Sequence, residues 1–116
     1  MIIAVDFDGT LNSAEWPKLG APVPFAPGVM RRLKEDGHYL IINTCREGKA
    51  QTDAVNWLLD HEIPFDRIND HHPANIIKYG GDARKIYADI YIDDHNLGGL
   101  PQWDEIYDII KTKHNL

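Results

Sequence analysis

Cysteine is almost missing from this chain: Cys45 stands alone among 116 residues. A single cysteine excludes an internal disulfide and fits a reducing compartment. Long apolar runs are missing as well. No stretch approaches the length of a membrane span, and the N-terminus lacks the basic region and long apolar core of a secretory leader, so the cytoplasm is the expected location. Basic charge is scarce, with 12 lysines and arginines against 18 acidic residues and a formal net charge of −6. A nucleic-acid groove or an anionic membrane surface therefore lacks the broad basic face it needs. A small phosphorylated metabolite stays compatible, because a local cation and one or two basic side chains reverse the field inside a cleft. Repeats and low-complexity segments are absent too. A chain of 116 residues holds one hydrophobic core and no second folded unit, so residues 1–116 are expected to form one domain.

What the chain does have is alternation. Ile2 to Val5 is an apolar run of the kind buried on both faces of a parallel sheet. Residues 12–27 hold prolines at 17, 22, 24 and 27 plus Gly20, which predicts an irregular excursion. Its aromatics Trp16 and Phe25 either pack it down onto the domain, the commoner fate of such side chains, or form a lid over a cleft. Pro27 then opens a helix with the apolar stripe Val29, Met30 and Leu33, and Gly37 ends it. His38 to Asn43 predicts a second strand. Lys49 to His61 predicts a second helix burying Ala54, Val55, Leu58 and Leu59. A short strand over Phe65–Asn69, a brief helical turn around Ile76, Ile77 and Tyr79, and a strand over Asp89–Ile92 follow. A terminal helix over Trp103–Lys113 has Trp103, Ile106, Tyr107 and Ile110 on its apolar side. Strands alternating with helices predict an α/β fold, a three-layer α/β/α sandwich around a mostly parallel, Rossmann-like sheet.

Two of the strands run into acidic clusters. The first delivers Asp6 and Asp8, and a period of two puts both carboxylates on one side, where they repel unless a cation lies between them. An Asp-Gly turn explains Asp8-Gly9 equally well by itself. The last strand ends in Asp93-Asp94-His95, again with no basic residue between the acids. Two such clusters at the carboxyl ends of strands point to one shared hard cation, most simply magnesium, and that edge of an open α/β sheet is where ligands bind. His71, His72 and His95 lack the spacing of a zinc site; His71 and His72 are expected in a loop, and His95 beside the cleft.

Asp6-Phe7-Asp8-Gly9-Thr10 resembles the first motif of the haloacid dehalogenase (HAD) superfamily, and the resemblance extends over most of the chain. Thr44 resembles the second motif, whose hydroxyl binds the phosphoryl group. Lys85 resembles the third, with Lys78 and Arg84 as neighbours able to take the same role, and Asp93-Asp94 resemble the fourth. The second aspartate of the first motif, Asp8, implies phosphatase or phosphomutase chemistry over dehalogenation. The resemblance thus implies a small uncapped magnesium-dependent phosphatase.

Phosphomonoester hydrolysis needs an in-line nucleophile, neutralised equatorial oxygens and a proton for the leaving alkoxide. Asp6 suits attack on phosphorus to give an aspartyl phosphate, and Asp8 suits the general acid and base. The resemblance implies magnesium on Asp6, the Asp8 backbone carbonyl and Asp94, with Asp93 behind it or the two reversed. Thr44 with the backbone N–H groups that follow at Cys45 and Arg46, together with Lys85, would hold the phosphoryl oxygens. Arg46 either reaches a second anionic group on the substrate or pairs with Glu47 or another acid on the surface.

The chain leaves no room for a folded cap. The site is expected to be open, acting on a small phosphometabolite or sugar phosphate with a neighbouring subunit as lid. A receiver-type phosphoacceptor domain is the alternative from another class, but its acidic pair follows the first strand, whereas here the pair comes last. A non-catalytic metal- or phosphate-binding module is the other alternative.

Overall fold

The computed structural model of the chain describes residues 1–114. Four parallel strands form one sheet in the order β3-β2-β1-β4, where β1 is Ile2–Asp6, β2 Tyr39–Asn43, β3 Arg67–Ile68 and β4 Ile90–Ile92. Helices α1 (Ala26–Glu35), α2 (Gly48–Asp60), α3 (Pro73–Tyr79) and α4 (Trp103–His114) alternate with them. The α/β fold with a parallel sheet and helices on both faces is thus the one the sequence predicts.

Register explains how the layers form. Ile3 pairs with Leu40 and Ile90, and Val5 with Ile42 and Ile92, so these side chains share one face of the sheet. They join a single buried cluster with Val29, Met30 and Leu33 of α1, Ala54, Trp57 and Leu58 of α2, and Trp103, Ile106 and Ile110 of α4. The other face carries Ala4, Ile41 and Tyr91. There the Tyr91 hydroxyl accepts from Ala88 N–H at 3.0 Å and donates to the Ile86 carbonyl at 2.6 Å, tying down the segment after α3. Helix α3 buries none of its residues. The sheet therefore has a thick apolar layer on one side and a thinner one on the other, where Ala4 and Ile41 are still buried.

Several local expectations change. In α2 the buried aromatic is Trp57, whereas Leu59 is 61% exposed. Trp57 is turned inward because its ring meets Phe7 edge-on at 5.3 Å and its indole N–H donates to the Gly20 carbonyl at 2.8 Å. The third strand shrinks to two residues at the sheet edge. Trp16 and Phe25 are exposed, so neither packs the 12–25 excursion down. That task falls to Asn12, a fully buried polar residue, whose side-chain oxygen accepts from the N–H groups of Ala14 and Gly20 and whose amide donates to the Lys18 carbonyl. A polar side chain satisfied on three sides orders such a loop as firmly as an apolar one.

Candidate functional site

All the chemistry-bearing strand ends meet at the carboxyl edge of the sheet. A cleft of about 390 Å³ is lined there by Asp6, Asp8, Trp16, Thr44, Cys45, Arg46, Asp93 and His95. Phe7, between the two acids of β1, is fully buried, so the alternation read from the sequence does turn Asp6 and Asp8 to the same side.

Carboxylate oxygens of Asp6, Asp93 and Asp94 lie within 4.8 Å of one another, the one such cluster among the described residues. Thr10 joins the two strands. Its fully buried hydroxyl stands 3.1 Å from Asp6 Oδ2 and 3.3 Å from Asp94 Oδ1, and it accepts from the Asp94 backbone N–H at 3.0 Å. Trp103 fixes Thr10 in turn, its indole N–H donating to the Thr10 carbonyl at 2.9 Å. Gly9 has a φ of +83°, and a side chain there would run into the Asp94 carboxylate. Only glycine gives both that backbone and that space.

Among the described residues no lysine or arginine pairs with this acidic cluster, and its electrostatics follow from that. Burial above all, then the Asp94 carboxyl hydrogen-bonded to it and the nearby Asp93 charge, push Asp6 up to about 7, with the Thr10 hydroxyl pulling the other way. The folded state therefore keeps a proton on Asp6 through a range where the unfolded chain, at about 3.8, has lost it. Stability from this group is full below about 3.8 and is lost as the pH climbs to about 7. In chelator, the melting temperature of the wild type is expected to fall between pH 5 and pH 8 relative to that of Asp6→Asn. Parallel pH profiles for the two proteins would refute this.

The cation in the cleft is Arg46, and the acid it pairs with is Asp8 on the cleft wall, in place of the expected Glu47 or surface acid. Its side chain is 2% exposed and forks onto Asp8, Nε to Oδ2 and Nη2 to Oδ1, each at 2.8 Å. Nη2 also reaches the carbonyls of Pro17 at 3.3 Å and Lys18 at 3.4 Å, and Nη1 that of Ala50 at 3.4 Å. A guanidinium so engaged does not pair with Glu47, and most of its donors are already taken by the protein. Its work is to aim Asp8, which Asn12 also touches at 3.3 Å.

Thr44 lines the cleft at the end of β2. Asn69, a non-glycine residue with φ 52°, accepts from Thr44 N–H at 2.8 Å and donates to its carbonyl at 2.7 Å. The Thr44 hydroxyl accepts from Arg46 N–H at 3.1 Å, which leaves its own proton directed by whatever binds. Lys85 does not line the cleft: its ammonium rests 5.4 Å from the centre of the Tyr91 ring. Neither Lys78, beside Tyr79, nor Arg84 takes its place there. His95 is at the cleft, 3.6 Å from Asp94. His71 is buried against the Ala83 carbonyl, and His72 caps α3 by accepting from Ala74 N–H at 3.1 Å.

Fold and site together define a small α/β protein with an acidic cleft at the carboxyl edge of a parallel sheet. The chain belongs to the same family as a conserved protein from Bacteroides thetaiotaomicron: its solved structure is 39% identical in sequence and superposes with a TM-score of 0.88 over 97% of this chain and 91% of that one. No family model matches the chain, and no curated protein does. Among the described residues no helix is long and apolar enough to cross a membrane.

Proposed function

We propose that this protein is a magnesium-dependent phosphatase of the HAD type, hydrolysing a small phosphomonoester through a phosphorylated Asp6. The observation that carries this is the joining of two strand ends by Thr10: the Asp-x-Asp of β1 and the Asp-Asp after β4 converge on one cluster, with Thr44 of β2 facing the same cleft. Oxygen donors alone, a glycine that makes room for Asp94, and a carboxyl group driven up toward neutrality for want of a cation all fit a hard divalent ion. Asp6, Asp93, Asp94 and the Asp8 backbone carbonyl would hold it. Bound there, magnesium offsets the repulsion between carboxylates and an anionic phosphoryl group.

The remaining work belongs to side chains. Asp6 attacks phosphorus in line with the leaving oxygen, forming a P–O bond to its carboxylate as the ester P–O bond breaks. Asp8, aimed by Arg46 and Asn12, gives the leaving oxygen its proton and then takes one from the water that cleaves the aspartyl phosphate. The Thr44 hydroxyl donates to a phosphoryl oxygen. With Lys85 away from the cleft, the balance of charge on that side rests on Arg46 acting through Asp8.

A screen over phosphomonoesters, with and without magnesium, tests this. Turnover of an aryl phosphate is expected with magnesium and at least about 100-fold less in chelator. Equal rates in chelator would remove the metal from the mechanism, and no turnover of any ester would remove the activity. Repeated turnover also separates a phosphatase from a phosphoacceptor switch, which would stop after one phosphoryl group per chain.

A further inference from the structure

Trp16 is a large apolar ring left 60% exposed on the wall of an otherwise polar cleft. Burial would remove that area from water, yet the loop carrying it is fastened so as to keep the ring out. Asn12 holds Lys18 and Gly20, Trp57 holds the Gly20 carbonyl, and Arg46 reaches the carbonyls of Pro17 and Lys18. The same guanidinium that forks onto Asp8 lies 4.8 Å from the centre of the Trp16 ring, holding the indole from one side. An exposed aromatic on a braced loop, touching the residue that aims Asp8, has its ordering cost met before any ligand arrives.

We propose that Trp16 is the specificity-determining residue of this cleft, a platform on which a ring-bearing leaving group lies flat while its phosphoryl group reaches Asp6. This rests on the phosphatase function proposed above. The substrate class is a phosphomonoester whose alcohol carries an aromatic or pyranose ring, in preference to an open-chain alcohol. Both ring types offer a face to an indole, and the cleft's net acidity disfavours a second anionic group on the leaving part.

Binding is read first, on the full chain with magnesium, by quenching of tryptophan fluorescence with benzylphosphonate and with methylphosphonate. These share a charged head and have no ester bond to break. Trp57 and Trp103 are buried, so the ligand-accessible signal belongs to Trp16. For the variants, which lack that signal, displacement is followed by calorimetry. Benzylphosphonate is expected to bind roughly 5- to 150-fold more tightly than methylphosphonate, the span that one ring stacked on an aromatic side chain gives. Trp16→Ala should abolish that preference and Trp16→Phe restore most of it. Turnover is read as the ratio of kcat/KM for phenyl phosphate, or for a hexopyranose phosphate, to that for glycerol phosphate. A fall in either ratio in Trp16→Ala supports the platform and identifies the ring. Ratios and preferences unchanged within about twofold overturn it, as does a loss that Phe fails to restore, which would belong to loop packing. A ring preference that depends on Trp16 in a wild type that hydrolyses no ester would leave the platform standing and overturn the phosphatase.

Discussion

Asp6→Asn is expected to abolish turnover while making the metal-free protein more stable. If Asp6 attacks phosphorus as proposed, the substitution should lower kcat by at least about 10⁴-fold, the scale on which enzymes respond to removal of the attacking group. The stability change runs the other way. Asp6 is pushed up to about 7 because burial and two neighbouring acids oppose its charge, so an uncharged amide in the same place relieves that opposition above pH 7. The cleft is partly open to solvent, which screens the effect, so a gain on the order of 1–2 kcal/mol is expected in chelator at pH 8. Urea unfolding at pH 8 with and without magnesium checks both halves. A variant that is inactive and also less stable in chelator would mean that Asp6 is structural; a variant that keeps turning over would mean that another residue attacks phosphorus.

Arg46→Ala carries the second large effect, and here stability is what falls. The substitution removes a buried guanidinium from Asp8, from three backbone carbonyls and from beneath Trp16. Breaking a buried pair from one side costs about 3–5 kcal/mol, and the partial exposure of Asp8 reduces this to roughly 2–4. At about 4 °C per kcal/mol for a domain of this size, the melting temperature should drop by roughly 8–16 °C. Arg46→Lys keeps one charge but loses the planar fork, so it should fall between wild type and Ala. A drop of less than about 2 °C in Arg46→Ala would show the pair to be worth no more than an ordinary surface ion pair.

Much of the site was legible because its members belong to strand ends. Asp6, Asp8, Thr44 and Asp93-Asp94 each follow an apolar run, and parallel strands must present their carboxyl ends on one edge. Periodicity also placed α1 and α4, whose apolar stripes are the ones that become buried. What escaped were residues whose role depends on long-range contact. Thr10 closes the motif that begins at Asp6 and Asn12 looks like an ordinary turn residue, but nothing in their spacing says that one will bridge to Asp94, 84 residues on, while the other holds a whole loop. At Asn69 the sequence predicts the end of a short strand, whereas the residue adopts a left-handed backbone beside Thr44, one that asparagine tolerates. Arg46 sits two residues past Thr44, but its capture by Asp8 spans 38 positions and is invisible to any local pattern. In α2 the choice between Trp57 and Leu59 turned on Phe7, a partner that helical periodicity does not know.

The unequal layers of the sheet have a kinetic consequence. A segment that buries little opens locally at a small fraction of the global unfolding free energy. Helix α3 contributes no side chain to the core, and the chain after it is held by the Tyr91 hydroxyl, by the buried Ile86 and, at Ala83, by His71. Helix α3 is therefore expected to exchange its amide hydrogens sooner than β1, β2 or β4. Lys85 lies in the segment that follows this helix, and the carboxylates do not. Lys85 thus belongs to the flank with the fewest buried contacts, whereas the spacing of Asp6, Asp93 and Asp94 is set by the strand ends themselves.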